Sequence, residues 1–234
     1  VFESGIRLHV GCGRCLVTCV ALVVGLSAGA EGVEGEVSVT SQTKATFPDV
    51  TVDATTLTGK TVVGYQGWFY APGDGNPSSI GWRHWSRESG DAPGGTDIGP
   101  GLYTVEMWPD VSEYDADELF DAPNVVLQDT TQGKLFSSIS PKTVARHFQW
   151  MKEHGIDGAF LQRFVSELAD SRFFAIRNMI LENVQAGANT HGRIFSLEYD
   201  TSGTDPATMY EEITDDWKYL VDIYDIANDP SYLH

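Results

Sequence analysis

From residue 140 onward the chain alternates helix-period and strand-period stretches at short intervals, and this cadence narrows the fold more than any other feature. Ser140-Pro141 opens a helix, with Ser as N-cap and Pro in the first turn. Val144, Phe148 and Met151 then recur at i, i+4 and i+7 on one face. Lys152 and His154 fall in the last turn, and Gly155 is the expected left-handed stop. "IDGAFLQRFV" (156–165) reads as a buried strand. Residues 171–188 read as a second helix on Phe174, Ile176, Ile180, Leu181 and Val184, and "RIFSLEYD" (193–200) as a further strand. Asp205-Pro206 is expected to cap a third helix, with Tyr210, Ile213, Trp217, Leu220, Val221 and Tyr224 at helical spacing. Strand, helix, strand, helix at this pitch implies parallel βα units.

The preceding part supplies further strand candidates. "KTVVGYQGWFY" (60–70) is β-branched and aromatic and stops at Pro72-Gly73; "GLYTVEMW" (101–108) is a second. "NVVLQDTTQGKLFSS" (124–138) reads as a hairpin around Gly133. No GxGxxG or GxxxxGK[ST] follows a first strand, so a nucleotide-binding doubly wound sheet has no positive support. The natural alternative within the α/β class is a (β/α)8 TIM barrel, of which residues 59–234 would supply roughly the first half, about four of eight units. Functional groups then belong at the C-terminal ends of the strands.

Residues 1–30 differ from the rest. Arg7 and Arg14 precede the apolar run "CLVTCVALVVGLSAGA", which closes on Ala28-Gly29-Ala30. A positive flank, a short apolar core and small exit residues are the pattern of a secretory signal peptide, so the mature chain is expected to be exported, with no stable membrane association. A membrane anchor is the alternative, although the run is short for a spanning helix. All three cysteines lie here. His9, Cys12, Cys15 and Cys19 have metal-ligand spacing, but small apolar cysteines are at home in a signal core, and no cofactor or metal is expected. Residues 31–58 are acidic and Thr-rich and read as a flexible lead-in. A formal charge of −18 opposes nucleic acid and anionic membranes as partners. It is compatible with a neutral or cationic ligand, or with nothing more than solubility.

"GYQGWFYAPGDGNPSSIGWRHWS" (64–86) places Trp68, Trp82 and Trp85 on glycine- and proline-rich backbone, where a core would not ordinarily keep its large rings. On the barrel reading the four strand ends present Gln66-Gly67-Trp68, Glu106 to Asp110, Gln162-Arg163-Phe164 and Glu198-Tyr199-Asp200. Aromatic rings beside carboxylates, an amide and a guanidinium suit a sugar, whose C–H faces stack on rings while its hydroxyls take the polar groups. Each feature has a plainer explanation. The tryptophans can form a satellite cluster, Asp110 an N-cap, and Arg163 a structural ion pair with Asp200 or Glu106. His147 fits a surface or packing role, and Asp215-Asp216 a solvated helix face.

Several ordered blocks resemble the glycoside hydrolase family 71/99-like proteins, often described as xylosidase/arabinosidase and related to endo-α-mannosidases. They are "LTGKTVVGYQGWFYAPGDG", "GWRHWS", "MWPDVSEYD", "TVARHFQWMKEHGIDGAFLQRF" and "DPSYL". The resemblance runs from about residue 47 to the C-terminus. It implies a (β/α)8 barrel that hydrolyses glycosidic bonds in a poly- or oligosaccharide. It also implies a sugar site formed by Tyr65, Gln66 and Trp68, then His84 and Trp85, Trp108 and Asp110, Gln162 and Arg163, and Tyr199 and Asp200. Glu106 and Ile139-Ser140 depart from the family pattern. The catalytic carboxylates are expected beyond residue 234, whether hydrolysis retains or inverts the anomeric centre. A carbohydrate-binding domain without catalytic groups, or a defunct truncated product, is the alternative.

Overall fold

The computed structural model describes residues 47, 49–78, 80–87 and 97–234. The leader, its cysteines and most of the lead-in lie outside the described residues. Three parallel strands form the main sheet: β1 (Val62–Tyr65), β4 (Gly158–Phe164) and β5 (Ile194–Asp200), in the order β1-β4-β5. Between β1 and β4 the chain makes a long excursion. It contains an antiparallel pair, β2 (Leu119–Val126) and β3 (Gln132–Phe136), followed by helix α1 (Pro141–Glu153). Helices α2 (Ser171–His191) and α3 (Met209–Tyr224) follow β4 and β5. This is a mixed α/β arrangement compatible with part of a TIM-like barrel.

The helices form where capping and periodicity place them. The Ser140 side chain accepts from Thr143 N at 3.2 Å, Pro141 starts α1, and Gly155 follows it at φ +70°. Asp170 caps α2, accepting from Arg172 N at 2.9 Å, and Gly192 closes it at φ +59°. Val144, Phe148 and Met151 of α1 meet Ile176, Ile180, Leu181 and Val184 of α2 in one core that also takes Ala159, Leu161 and Phe195 from the sheet. A second core lies in the hairpin lobe, around Trp82, Trp85, Ile98, Val125 and Leu135.

Several expectations are corrected. Residues 101–108 are not a strand of the parallel sheet: Arg87 N donates to Leu102 O at 2.8 Å and Thr104 N to Trp85 O at 3.2 Å. Tyr103 forms an isolated antiparallel bridge with Ser86, and the rest of 101–108 is turn and bend rather than a ladder. Trp108 and Asp110 therefore do not stand at the end of a barrel strand. The hairpin turn lies over 127–131, where Leu127 N donates to Thr131 O at 2.9 Å. Gly133 sits inside β3, because a Cβ there would lie 2.7 Å from Val125 and 3.0 Å from Trp108. The first strand stops at Tyr65, and α3 begins at Met209, with Asp205 making the preceding turn through Ala207 N at 2.9 Å. Beyond α3, Phe195 N donates to Ser231 O at 2.9 Å and Leu233 N to Phe195 O at 2.8 Å, a parallel bridge on the free side of β5. Among the described residues no helix is long and apolar enough to cross a membrane.

Candidate functional site

Side chains along a strand alternate between its two faces, so neighbours at a strand end cannot share one mouth. Val63 and Tyr65, Ala159 and Leu161, and Phe195 and Leu197 pack into the helical core. The same alternation sends Arg163 and Tyr199 toward the helices. It leaves Phe160, Gln162, Phe164, Ser196, Glu198 and Asp200 on the opposite, open face. Strand register agrees: Arg163 pairs with Tyr199, Phe164 with Asp200.

The helix-facing residues are bound tightly to their surroundings. Arg163, only 1% exposed, donates from Nε and Nη2 to Asp216 at 2.6 Å each, and from Nη2 to Asn178 at 2.9 Å. Tyr199 donates to the same carboxylate at 2.7 Å, and burial followed by that bond pushes its hydroxyl pKa up. The partner of Arg163 is thus neither Asp200 nor Glu106. Asp216 is buried rather than part of a solvated face, whereas Asp215 is exposed and pairs with Lys218. The Tyr65 hydroxyl lies 2.8 Å from His147 Nδ1, and the Tyr114 hydroxyl 2.7 Å from His147 Nε2. Burial pushes the imidazole pKa down to about 4, so His147 is a neutral packing residue near pH 7.

Other expected residues belong to the hairpin lobe. Trp85 is buried, with Nε1 donating to Phe136 O at 3.0 Å and Phe69 against its ring at 4.0 Å. Trp108 donates to Lys134 O at 3.1 Å. Asp110 is exposed and accepts from Ser112 N at 2.9 Å, a bond that holds its carboxyl below the usual range.

What does assemble is a smaller group at the C-terminal edge of the sheet. The Trp68 ring stacks on His84 at 4.0 Å and 16°, and on Phe164 at 5.5 Å and 13°. Trp68 is 8% exposed and His84 half-buried. Gln162, two residues before Phe164, donates from Nε2 to Asp200. Asp200 also accepts from Ser202 N at 2.7 Å. Burial works against the ionised carboxylate, but the Ser202 and Gln162 bonds outweigh it and hold the pKa below the usual range. The Gln66 backbone carbonyl accepts from Arg177 Nη1 at 3.3 Å, a contact that does not bring its side chain into this group. Tyr65, Arg163, Tyr199, Trp85 and Trp108 are not brought into this group. Phe164 stands at the third strand end in the sequence but is not among the residues the resemblance implies; the period-two alternation from Gln162 is the signal that points to it.

Among the described residues, Asp115, Asp117 and Glu118 come close enough to surround a cation. Lys142 already pairs with Asp115 and Asp117, and Arg146 with Asp115 and Glu118.

No family model matches the chain, and no curated protein does. Two solved structures of the GH99 endo-alpha-mannosidase from Bacteroides thetaiotaomicron resemble it loosely. The one in complex with bis-tris-propane has a TM-score of 0.44 at 12% identity, over 74% of this chain and 38% of that one. The other has a TM-score of 0.40 at 14% identity, over 74% and 41%. The chain therefore spans about two-fifths of the length of those enzymes.

Proposed function

We propose that the open face of the sheet is one wall of a carbohydrate site, and that the whole protein hydrolyses glycosidic bonds. The observation that carries the sugar reading is the Trp68–His84–Phe164 stack lying alongside the Gln162–Asp200 pair. A ring edge or face takes the C–H surface of a pyranose, and an amide coupled to a carboxylate accepts and donates to its hydroxyls. The hydrolytic part rests on the sequence blocks quoted above.

The described carboxylates fit binding better than proton donation. Leaving-group protonation needs a carboxyl kept neutral near pH 7, by burial or by a like charge. Asp110 and Asp200 are both held in the ionised form by hydrogen bonds. Asp200 therefore serves as an acceptor for sugar hydroxyls, and neither of these two carboxylates is the proton donor.

Isothermal titration of the chain with manno-, gluco- and xylo-oligosaccharides, beside a reducing-end assay, tests this. At least one sugar should bind, and Trp68→Ala should weaken that binding by roughly tenfold, the size of a lost ring-stacking contact. Unchanged affinity in Trp68→Ala removes the stack from the site. No binding to any of the three refutes the carbohydrate reading.

A further inference from the structure

Resting on the carbohydrate reading, we infer that Glu167 is the positioning residue of the aromatic stack, one carboxylate that ties all three rings to the barrel frame. Glu167 lies in the 3-10 turn Val165–Glu167, directly after β4 and three residues beyond Phe164. Its Oε1 accepts from Arg83 Nη2 at 2.9 Å, and its Oε2 from Arg177 Nε at 2.7 Å. Arg83 immediately precedes His84, and its carbonyl accepts from Tyr70 N at 3.3 Å, two residues past Trp68. Arg177 donates from Nη1 to the carbonyls of Gln66 and Gly67 at 3.3 and 3.2 Å, the two residues before Trp68. The guanidinium of Arg177 also lies 4.8 Å from the centroid of the Phe164 ring. Each ring of the stack is thus adjacent in sequence or in space to a group that Glu167 holds.

The bridge is well shielded: the side chains of Arg83 and Glu167 are 12% exposed and that of Arg177 2%. Two guanidinium groups share one negative charge there. Removing that charge leaves two shielded cations facing each other, and their repulsion pushes the two guanidinium groups apart. On the loop side, the Arg83 guanidinium also lies 4.4 Å from the Phe173 ring centroid, and the His84 carbonyl accepts from the Thr104 hydroxyl. His84 sits at φ +58° and Gly67 at φ +57°, and a non-glycine residue keeps a left-handed backbone only while its surroundings enforce it. Loss of the Glu167 contact therefore shifts Arg83 and the left-handed turn beside it, and the ring of His84 no longer lies flat on Trp68.

The test uses the full chain with Glu167→Gln and Arg83→Gln, the second removing only the loop arm of the bridge. Glu118→Gln serves as control, because Glu118 is fully buried and paired with Arg146 at 2.5 Å but touches no member of the stack. Binding of the same three oligosaccharides is measured where each variant remains folded by far-ultraviolet circular dichroism. Near-ultraviolet dichroism reads the stack itself. Glu167→Gln and Arg83→Gln should both bind roughly tenfold more weakly, with a reduced near-ultraviolet tryptophan signal. Glu118→Gln should melt earlier yet bind like the unmodified chain. Unchanged affinity and unchanged signal in Glu167→Gln overturn the inference, as does an equal loss of affinity in the control. If the unmodified chain binds none of the sugars, the carbohydrate reading fails by itself, and the near-ultraviolet comparison still decides whether Glu167 holds the stack.

Discussion

Lowering the pH from 7 toward 4 loads a proton onto His147 in the unfolded chain well before it does so in the folded one, and stability should fall by that difference. In the folded protein both ring nitrogens meet tyrosine hydroxyls, Tyr65 at 2.8 Å and Tyr114 at 2.7 Å. A neutral imidazole suits this arrangement, accepting from one hydroxyl and donating to the other. A charged one must donate at both nitrogens with little access to water. Burial is the main cause of the low pKa, about 4; Glu118 pulls it upward and Arg146 adds to the depression. The folded pKa lies below the unfolded value of about 6.5. The contribution is therefore complete above about pH 6.5, is lost as the pH falls to about 4, and changes no further below that. The loss amounts to about 3 kcal/mol, at roughly 1.4 kcal/mol for each pKa unit.

Urea denaturation of the unmodified chain and of His147→Gln at pH 7, 6, 5 and 4.5 measures this directly. The variant should start less stable and vary less with pH in this window, since glutamine donates and accepts without titrating. Paired carboxylates such as Asp170, held near 2 by Arg172, lose their contributions at lower pH and in both proteins alike. Equal slopes for the two proteins between pH 6.5 and 4.5 would refute the reasoning. So would an imidazole titration by NMR that places His147 near 6.5.

Other substitutions probe the frame. Asp216→Ala leaves Arg163 charged and 1% exposed, and should cost about 3–5 kcal/mol in chemical denaturation. Replacing both partners together, Arg163→Met with Asp216→Leu, should cost clearly less, because no buried charge is left unpaired. Gly158→Ala puts a Cβ 2.0 Å from the Ile194 carbonyl across the β4–β5 pair, and should lower stability by at least about 2 kcal/mol, read as a fall in melting temperature.

The three helices were legible because their signals are local. Ser140-Pro141 and Gly155 delimit α1, and Gly192 stops α2 within a few residues of where its apolar period ends. The strand at 101–108 was misread because alternation alone does not reveal which backbone it pairs with, and 85–87 claims it first. The site was overfilled for a different reason. Adjacent residues such as Gln162 and Arg163 were both assigned to one mouth, although period-two geometry sends them to opposite faces. Other contacts join residues far apart in the chain, such as Tyr65 with His147 and Arg163 with Asp216, and no spacing rule reports them. Asp215 and Asp216 show how fine the distinction is: one step around α3 separates an exposed side chain from a buried one.

The same alternation takes Arg163 off the open face. Among the described residues near this edge of the sheet, Arg163 of β4 pairs with Asp216, while Arg177 of α2 and Arg83 both pair with Glu167. The open face keeps Gln162, Asp200 and the exposed Glu198 beside the rings. On a chain of net charge −18, such a face meets hydroxyl donors with acceptors, and the guanidinium groups described near it are paired with Asp216 and Glu167. On the carbohydrate reading proposed above, a sugar without acidic substituents suits both the rings and the carboxylates. The buried arginines thus have two effects at once, fixing the frame that carries the stack and leaving its acceptors unneutralised.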